Sequence, residues 1–402
     1  VDNWRDAPEP SSVAVESPVY RKEQGLWPHQ KYFIRLAIDR HRRDSARLVL
    51  ADQVGLGKTV QLAMAALLMA LENPGPILIL APKSLLKQWQ VEMLDLLRMP
   101  SAFWNGASWV DENGIEYPGN GIATLGACPR RVGLISQGLI TRGRKDVWDT
   151  LLSSEYLCVI VDEAHRARRR NLPKIDAGSD EVNEKANPNK LMEFLQKLSP
   201  KTRSMLLATA TPVQLHPIEA WDLLSILALG SSSVLGDQRL RFGPWWRPSE
   251  CLDLATGAKK MPDHPSDAWN YIRDPVITEE EDPGNVISGI RDRFHMKAND
   301  WLLNPEDYGK IPIAFRRNKI EGAWLDSYAE HHNPLLRGIV RRSREYLENT
   351  TNPVTKQSFL PKVAVTLYGE TSSAALSLGP YLSDAYNEAE NFCRLLAKRI
   401  KS

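Results

Sequence analysis

The stretch from Arg47 to Leu71 limits the possible folds of this chain more than any other. An apolar run, Arg47–Ala51, leads into Asp52-Gln53-Val54-Gly55-Leu56-Gly57-Lys58-Thr59, and a helical pattern starts at once. Glycines let a backbone fold around a triphosphate, so that successive N–H groups and the helix N-terminus face the anion. Lys58 would then sit on the β- and γ-phosphates and the Thr59 hydroxyl on Mg²⁺. The strict Walker pattern has glycine where this chain has Asp52. An ordinary glycine-containing strand–helix turn would have no need of Lys-Thr at the helix start. Strand, loop and helix in the required order favour nucleotide binding by Gly55, Leu56, Gly57, Lys58 and Thr59.

The surroundings suit that unit. Five nearly continuous apolar runs read as strands covered on both faces: Arg47–Ala51, Ile77–Ala81, Val132–Ser136, Leu157–Val161 and Met205–Thr209. The helix after Lys58 is apolar almost all round and belongs between sheet and neighbours. The helix after Ser84 is amphipathic, with Leu85, Leu86, Trp89, Met93, Leu96 and Leu97 on one broad face. Alternating strands and helices predict a doubly wound α/β domain with a mostly parallel sheet and helices on both faces. Ser101–Gly126 reads as a loop or hairpin, and Arg166–Lys190 as a polar surface loop. The Trp-, Pro- and Asp-rich segment from Leu235 to about Asn333 lacks a clear period.

The run Leu157–Val161 ends in Asp162-Glu163-Ala164-His165. A buried strand finishing in two acids delivers them to the carboxyl edge of the sheet, where such folds bind ligands. Asp162 takes the role of holding Mg²⁺, and Glu163 that of orienting or deprotonating an attacking water. A strand ending in Asp-Glu is by itself more often a solvated turn; the loop at Gly55–Thr59 makes that reading the poorer one.

Composition sets outer limits. The chain has 402 residues, 43% hydrophobic and 25% charged, with a net charge of +2, so any nucleic acid must be held by local basic surfaces. Cys128, Cys158, Cys251 and Cys393 lie far apart without metal-ligand spacing, which points to a reducing, intracellular setting. No apolar run is long enough to span a bilayer. A start at Val1 and an end at Ser402 after a basic stretch read as a fragment.

The motifs taken together resemble helicase superfamily two, and within it the Swi/Snf-type ATPases. In order they are Gln30 in Trp27-Pro28-His29-Gln30, the Asp52–Thr59 loop, Ala81-Pro82-Lys83-Ser84-Leu85-Leu86-Lys87-Gln88-Trp89, Asp162-Glu163-Ala164-His165 and Ala208-Thr209-Ala210-Thr211-Pro212. Pro334-Leu335-Leu336-Arg337 with Arg341-Arg342, then Leu360-Pro361-Lys362, looks like the segment closing the first lobe. The resemblance implies a RecA-like lobe that uses ATP and Mg²⁺, with Lys58, Asp162 and Glu163 catalytic and Thr59 and Asp162 on the metal. It implies that Gln30 reads the adenine and that Thr209 and Thr211 couple nucleotide state to DNA grip. Lys83 and Ser84 would lie near a DNA backbone. Gln53 stands where the family commonly has Glu.

This divides the chain into a loose lead-in (1–25), a motor lobe (26–234), an insertion of unknown role (235–333) and a mainly helical closing segment (334–402). The last would lead to a second RecA-like lobe that supplies the arginine fingers, so the isolated fragment is expected to be a weak DNA-dependent ATPase. Basic clusters at Arg142/Arg144/Lys145, Arg166/Arg168/Arg169/Arg170 and Arg337/Arg341/Arg342/Arg344 offer phosphate contacts. Arg166 and Arg168, next to Asp162–His165, are the favoured DNA contacts.

The leading reading is a double-stranded DNA translocase that remodels DNA or DNA-bound proteins. A strand-separating helicase, or the motor subunit of a restriction or antiphage defence complex, is the alternative enzyme. A nucleotide-gated binding module with little turnover is the alternative from another class. Protein partners in a defence or remodelling complex fit these readings, as does a DNA-associated place in a bacterial cytoplasm (a nucleus if the source is eukaryotic), and membrane association does not.

Overall fold

A computed structural model describes residues 25–362, except 120, 173–185, 241–242, 263, 279–285, 322–331, 352–355 and 357, together with 388. The lead-in before residue 25, the middle of the Arg166–Lys190 loop and nearly all of the chain beyond Lys362 lie outside the described residues. Residues up to Phe359 form one compact unit, and Leu360–Ser402 fall in a second.

The first unit begins with α1 (Pro28–Arg43), β1 (Arg47–Leu50), α2 (Lys58–Glu72), β2 (Ile77–Ala81) and α3 (Leu86–Leu97). Three short strands follow: β3 (Ala102–Trp104), β4 (Trp109–Asp111) and β5 (Glu116–Tyr117). Then come β6 (Val132–Ser136), α4 (Gln137–Thr141), α5 (Lys145–Leu152), β7 (Tyr156–Val161), α6 (Lys190–Leu198), β8 (Thr202–Ala208) and α7 (Ile218–Ala228). The sheet order is β5-β4-β3-β6-β2-β7-β8-β1-β9, where β9 is Ile339–Val340. Every pair is parallel except β3–β4 and β4–β5.

The expected α/β architecture is therefore present, with all five anticipated strands in one sheet. Of the two readings of Ser101–Gly126, loop or hairpin, the structure shows antiparallel hairpin pairing. The segment supplies β3, which joins the parallel sheet beside β6, and an antiparallel pair that widens it. Strands of two or three residues are too short to display a period of two.

Alternation along the central strands separates two cores. Leu48, Leu50, Ile77, Ile79, Leu134, Cys158, Ile160 and Leu206 face α1, α2 and α3. Val49, Leu78, Leu80, Ile135, Val159, Val161, Met205 and Leu207 face the later helices. Burial on both sides explains why these strands read as unbroken apolar runs. On α3 the buried positions are Leu86, Trp89, Gln90, Met93 and Leu97, while Leu96 is exposed, contrary to its expected place on the apolar face. Gln90 occupies that face because its amide donates to the carbonyls of Ser101 and Val110, at 2.9 and 3.2 Å, and so ties the hairpin to the helix.

The segment from Leu235 to Asn333 is built of short helices. After α8 (Ser232–Leu235), which leads into it, they include α9 (Pro248–Thr256), α10 (Pro265–Ile272) and α11 (Val286–Arg293). Trp245, Trp269, Ile272 and Ile287 share one core with α7 and the sheet. Indole hydrogen bonds chain the layers together: Trp221 donates to the Trp245 carbonyl and Trp245 to that of Tyr271, both at 3.0 Å. A short helix, Pro334–Gly338, then returns the chain to the sheet as β9, parallel to β1.

Candidate nucleotide-binding site

β1 delivers the chain to the loop, where Gly55 and Gly57 adopt φ of +85° and +72°, values that L side chains seldom reach. A Cβ on Gly57 would also fall 2.5 Å from Gln30 Nε2. Leu56 is buried, and its carbonyl accepts from His29 Nε2 (3.2 Å), Gln30 Nε2 (3.3 Å) and Gln61 Nε2 (3.2 Å). The other end of the Gln30 amide accepts from the Trp27 N–H at 2.9 Å, so α1 clamps the loop from above. Burial pushes the His29 imidazole below its ordinary pKa. Lys58 and Thr59 open α2, half-exposed, with Lys58 Nζ donating to the Asp52 carbonyl at 2.9 Å. An exposed glycine backbone, a helix N-terminus, a lysine and a hydroxyl thus converge on one place, the donor set that a magnesium triphosphate requires.

Asp52, the departure from the Walker glycine, is fully buried and paired with Arg342. In the sequence Arg342 stands in a basic run and in the segment that resembles the close of the first lobe, with nothing to tie it to Asp52. Nothing in one sequence links residues 290 positions apart.

The carboxylates lie at the same carboxyl edge, since β7, β8 and β1 are consecutive parallel strands. Two strand spacings, roughly 10 Å, separate the ends of β1 and β7, a gap that loop and side chains can bridge. Asp162 is fixed on both oxygens: Trp89 Nε1 donates to Oδ2 and the Glu163 N–H to Oδ1, each at 2.9 Å. Gln137 donates its side-chain amide to the Asp162 carbonyl. Neither Trp89 nor Gln137 was expected to touch Asp162: Trp89 stood in the motif Ala81–Trp89 and on the apolar face of its helix, and Gln137 was not singled out.

Glu163 has φ of +48°, a conformation that costs a non-glycine residue about 1–3 kcal/mol and turns its carboxylate off the strand line. From there a polar chain runs along the edge. His165 Nδ1 lies 3.2 Å from Glu163 Oε2 and 3.1 Å from Thr209 Oγ1. Thr209 Oγ1 accepts from the Thr211 N–H at 3.1 Å, and Thr211 Oγ1 accepts from Gln214 at 3.1 Å. Among the described residues no cluster of three or more His, Cys, Asp or Glu could form an all-protein metal cage. A magnesium ion held by Thr59, Asp162, phosphate oxygens and water calls for none.

Lys83 and Ser84 are exposed where β2 ends and α3 begins. Arg166 is exposed, while Arg168 lies 3.8 Å from Glu219. Arg169 departs from the basic-surface reading. It is 1% exposed and forms an ion pair with Asp222 at 2.6 Å, reaching inward to α7. Arg142 stays on the surface, and neighbouring Arg144 pairs with Asp146.

Residues 29–112 match the family model of the SNF2-related domain. The RNA polymerase-associated protein RapA of Vibrio parahaemolyticus is 30% identical over 308 residues, covering 74% of this chain and 29% of the relative. This is a Swi/Snf-type, helicase-like ATPase lobe.

RapA of Klebsiella pneumoniae is 28% identical over 191 residues, 47% of this chain and 17% of that protein. The Swi/Snf-type lobe therefore spans less than a third of the length of the RapA relatives it matches. Among solved structures, the Sulfolobus solfataricus SWI2/SNF2 ATPase core in complex with dsDNA shares 20% identity. It covers 57% of this chain and 42% of that one, at a TM-score of 0.38. The Pyrococcus furiosus Hef helicase domain shares 16% identity over 50% of this chain and 36% of that one, at a TM-score of 0.34. Among the described residues no helix is long and apolar enough to cross a membrane.

Proposed function

We propose that this lobe binds Mg²⁺–ATP between Gly55–Thr59 and Asp162–Glu163 and, joined to a second RecA-like lobe, forms an ATP-driven translocase on double-stranded DNA. The observation that carries the reading is the shared carboxyl edge of β1 and β7. On nucleotide binding, Lys58 exchanges the Asp52 carbonyl for phosphate oxygens, and the Thr59 hydroxyl and Asp162 hold the metal. A bound magnesium ion neutralises charge on the β- and γ-phosphates. Glu163 takes the proton of the attacking water, and His165 links its carboxylate to Thr209 and Thr211. That chain of contacts is the route by which nucleotide state would reach the DNA-facing edge. Lys83, Ser84, Arg166 and Arg168 are the proposed phosphate contacts there, sequence-tolerant as a moving motor requires. Arginine fingers from the second lobe would complete the hydrolytic site, so this chain alone should turn ATP over slowly.

Glu163→Gln tests the reading. Mg²⁺–ATP affinity, followed with a fluorescent ATP analogue, should stay within about threefold of wild type, while single-turnover hydrolysis falls by about a hundredfold or more. Unchanged hydrolysis in the folded variant would remove Glu163 from the chemistry and sink the proposed site.

A further inference from the structure

Arg342 has been given no role at the nucleotide site so far, yet its guanidinium reaches the nucleotide loop from 290 positions along the chain. The loop does not hang free after β1. Its first residues keep pairing with the returning strand: Ala51 N–H donates to the Val340 carbonyl at 2.7 Å and Gln53 N–H to the Arg342 carbonyl at 3.0 Å. The Arg344 N–H in turn donates to Gln53 Oε1 at 2.8 Å. Arg342 then turns its guanidinium across the loop. Nε donates to Asp52 Oδ1 at 2.9 Å and Nη2 to Asp52 Oδ2 at 2.7 Å, a two-pronged contact that fixes orientation as well as distance. Nη2 also donates to Gln61 Oε1 at 3.0 Å, and Nη1 to the His29 carbonyl. The side chains of Asp52 and Arg342 are 0% and 11% exposed, so little water competes for these bonds.

One guanidinium thus joins the loop, the first turns of α2 and the entry to α1. The same Asp52 whose carboxylate it grips offers its carbonyl to Lys58 Nζ. When the lysine leaves that carbonyl for a phosphate, the Asp52 peptide loses a charged partner, and what still holds the residue is Arg342, with Gln61 Nε2 donating to Oδ2 at 3.2 Å. Any adjustment there passes into Ile339–Arg344, because the two segments are hydrogen-bonded edge to edge. Glycine at position 52 would keep the carbonyl for Lys58 but could not provide the carboxylate that Arg342 grips.

We propose that Arg342 is a positioning residue for the phosphate-binding loop, acting through Asp52, and that it couples nucleotide occupancy to the segment Ile339–Arg344. This rests on reading Gly55–Thr59 as the nucleotide site. Arg342 does not touch the phosphates; it sets the geometry of the residues that do.

The test uses the full chain, with Mg²⁺ and a fluorescent ATP analogue as the probe. Arg342→Gln should weaken binding by roughly tenfold to a hundredfold, the range seen when groups that orient primary ligands are removed. Arg342→Lys keeps the charge but not the fork and should fall between. Asp52→Asn with Arg342→Gln should lose less than the two single effects combined, because both act through one contact. Amide exchange supplies a readout that a purely structural role would not move. The nucleotide should slow exchange at both 51–59 and 339–344 in the wild type, but only at 51–59 in Arg342→Gln.

If Arg342→Gln does not fold, Arg342→Lys and Asp52→Asn decide by the same titration and exchange measurements. Folded Arg342 variants with wild-type affinity and a wild-type exchange pattern would overturn the proposal. Lys58→Ala separates the two layers of inference. If it binds nucleotide as well as the wild type, the site reading itself fails and this proposal falls with it. If it loses binding while the Arg342 variants do not, only the positioning role fails.

Discussion

Asp274 shows how much a single buried group can set against this fold. It is 3% exposed, accepts the Asp237 N–H at 2.9 Å, and is pushed up to about 6 chiefly by burial, partly offset by that hydrogen bond. A carboxylate whose folded pKa exceeds its unfolded value costs nothing when protonated in both states. Its penalty begins as pH rises past the unfolded value near 3.8 and is complete above about 6. Asp274→Asn should therefore raise unfolding stability at pH 7.5 by about 1–3 kcal/mol and change it little near pH 4. Urea unfolding at the two pH values checks this; an equal change at both would remove the titration from the explanation. At the proposed nucleotide site, the positions of Lys58 and Thr59 at the start of α2 and of Asp162 and Glu163 after β7 were legible, because the chemistry proposed for them fixes their spacing. The residues that hold them were not. Trp89, Gln137 and Arg342 act through contacts across the fold, and neither the motifs that hold Trp89 and Arg342 nor any local pattern at Gln137 shows what they touch.

At the scale of elements, the segment after β7 carries the clearest departure from expectation. A run of arginines suggested a basic surface, but Arg169 turns inward to α7, where its guanidinium meets Asp222 and lies 6.0 Å from the Trp221 ring. Both side chains of the ion pair are fully buried, so neither charge has water to fall back on. Arg169→Leu should cost about 3–5 kcal/mol, whereas Arg169→Leu with Asp222→Leu should cost clearly less, because the carboxylate is no longer stranded. Denaturant unfolding of the single and double variants gives both numbers. Comparable losses would mean that the pair contributes through packing rather than through charge. Long elements were the readable ones. The central strands announce themselves by unbroken apolar runs, and α2 by apolar residues on nearly every face. The strands β3–β5, two or three residues each, and helices α9 to α11, of eight or nine residues, give too few repeats for periodicity to show.

Across the whole molecule, sheet order does what no local signal can. It places β8 between β1 and β7 and brings the loop after β1 to the same edge as Asp162 and Glu163. It also seats β9, from far along the chain, against β1, which brings Arg342 to Asp52. Within the segment 235–333, expected as an insertion of unknown role, Trp245 and Trp269 lie in the core beneath the sheet, a placement set by long-range packing that composition does not reveal. The central claim is that both halves of the site act on one metal–nucleotide complex. It is tested most directly by titrating Mg²⁺–ATP analogue into Thr59→Val, Asp162→Asn and the combined variant. If one ion joins Thr59 to Asp162, the second substitution should add little once the first is made, giving an interaction energy of about 1 kcal/mol or more. Two losses that simply add, in variants that fold like the wild type, would place the residues on separate sites and contradict the account.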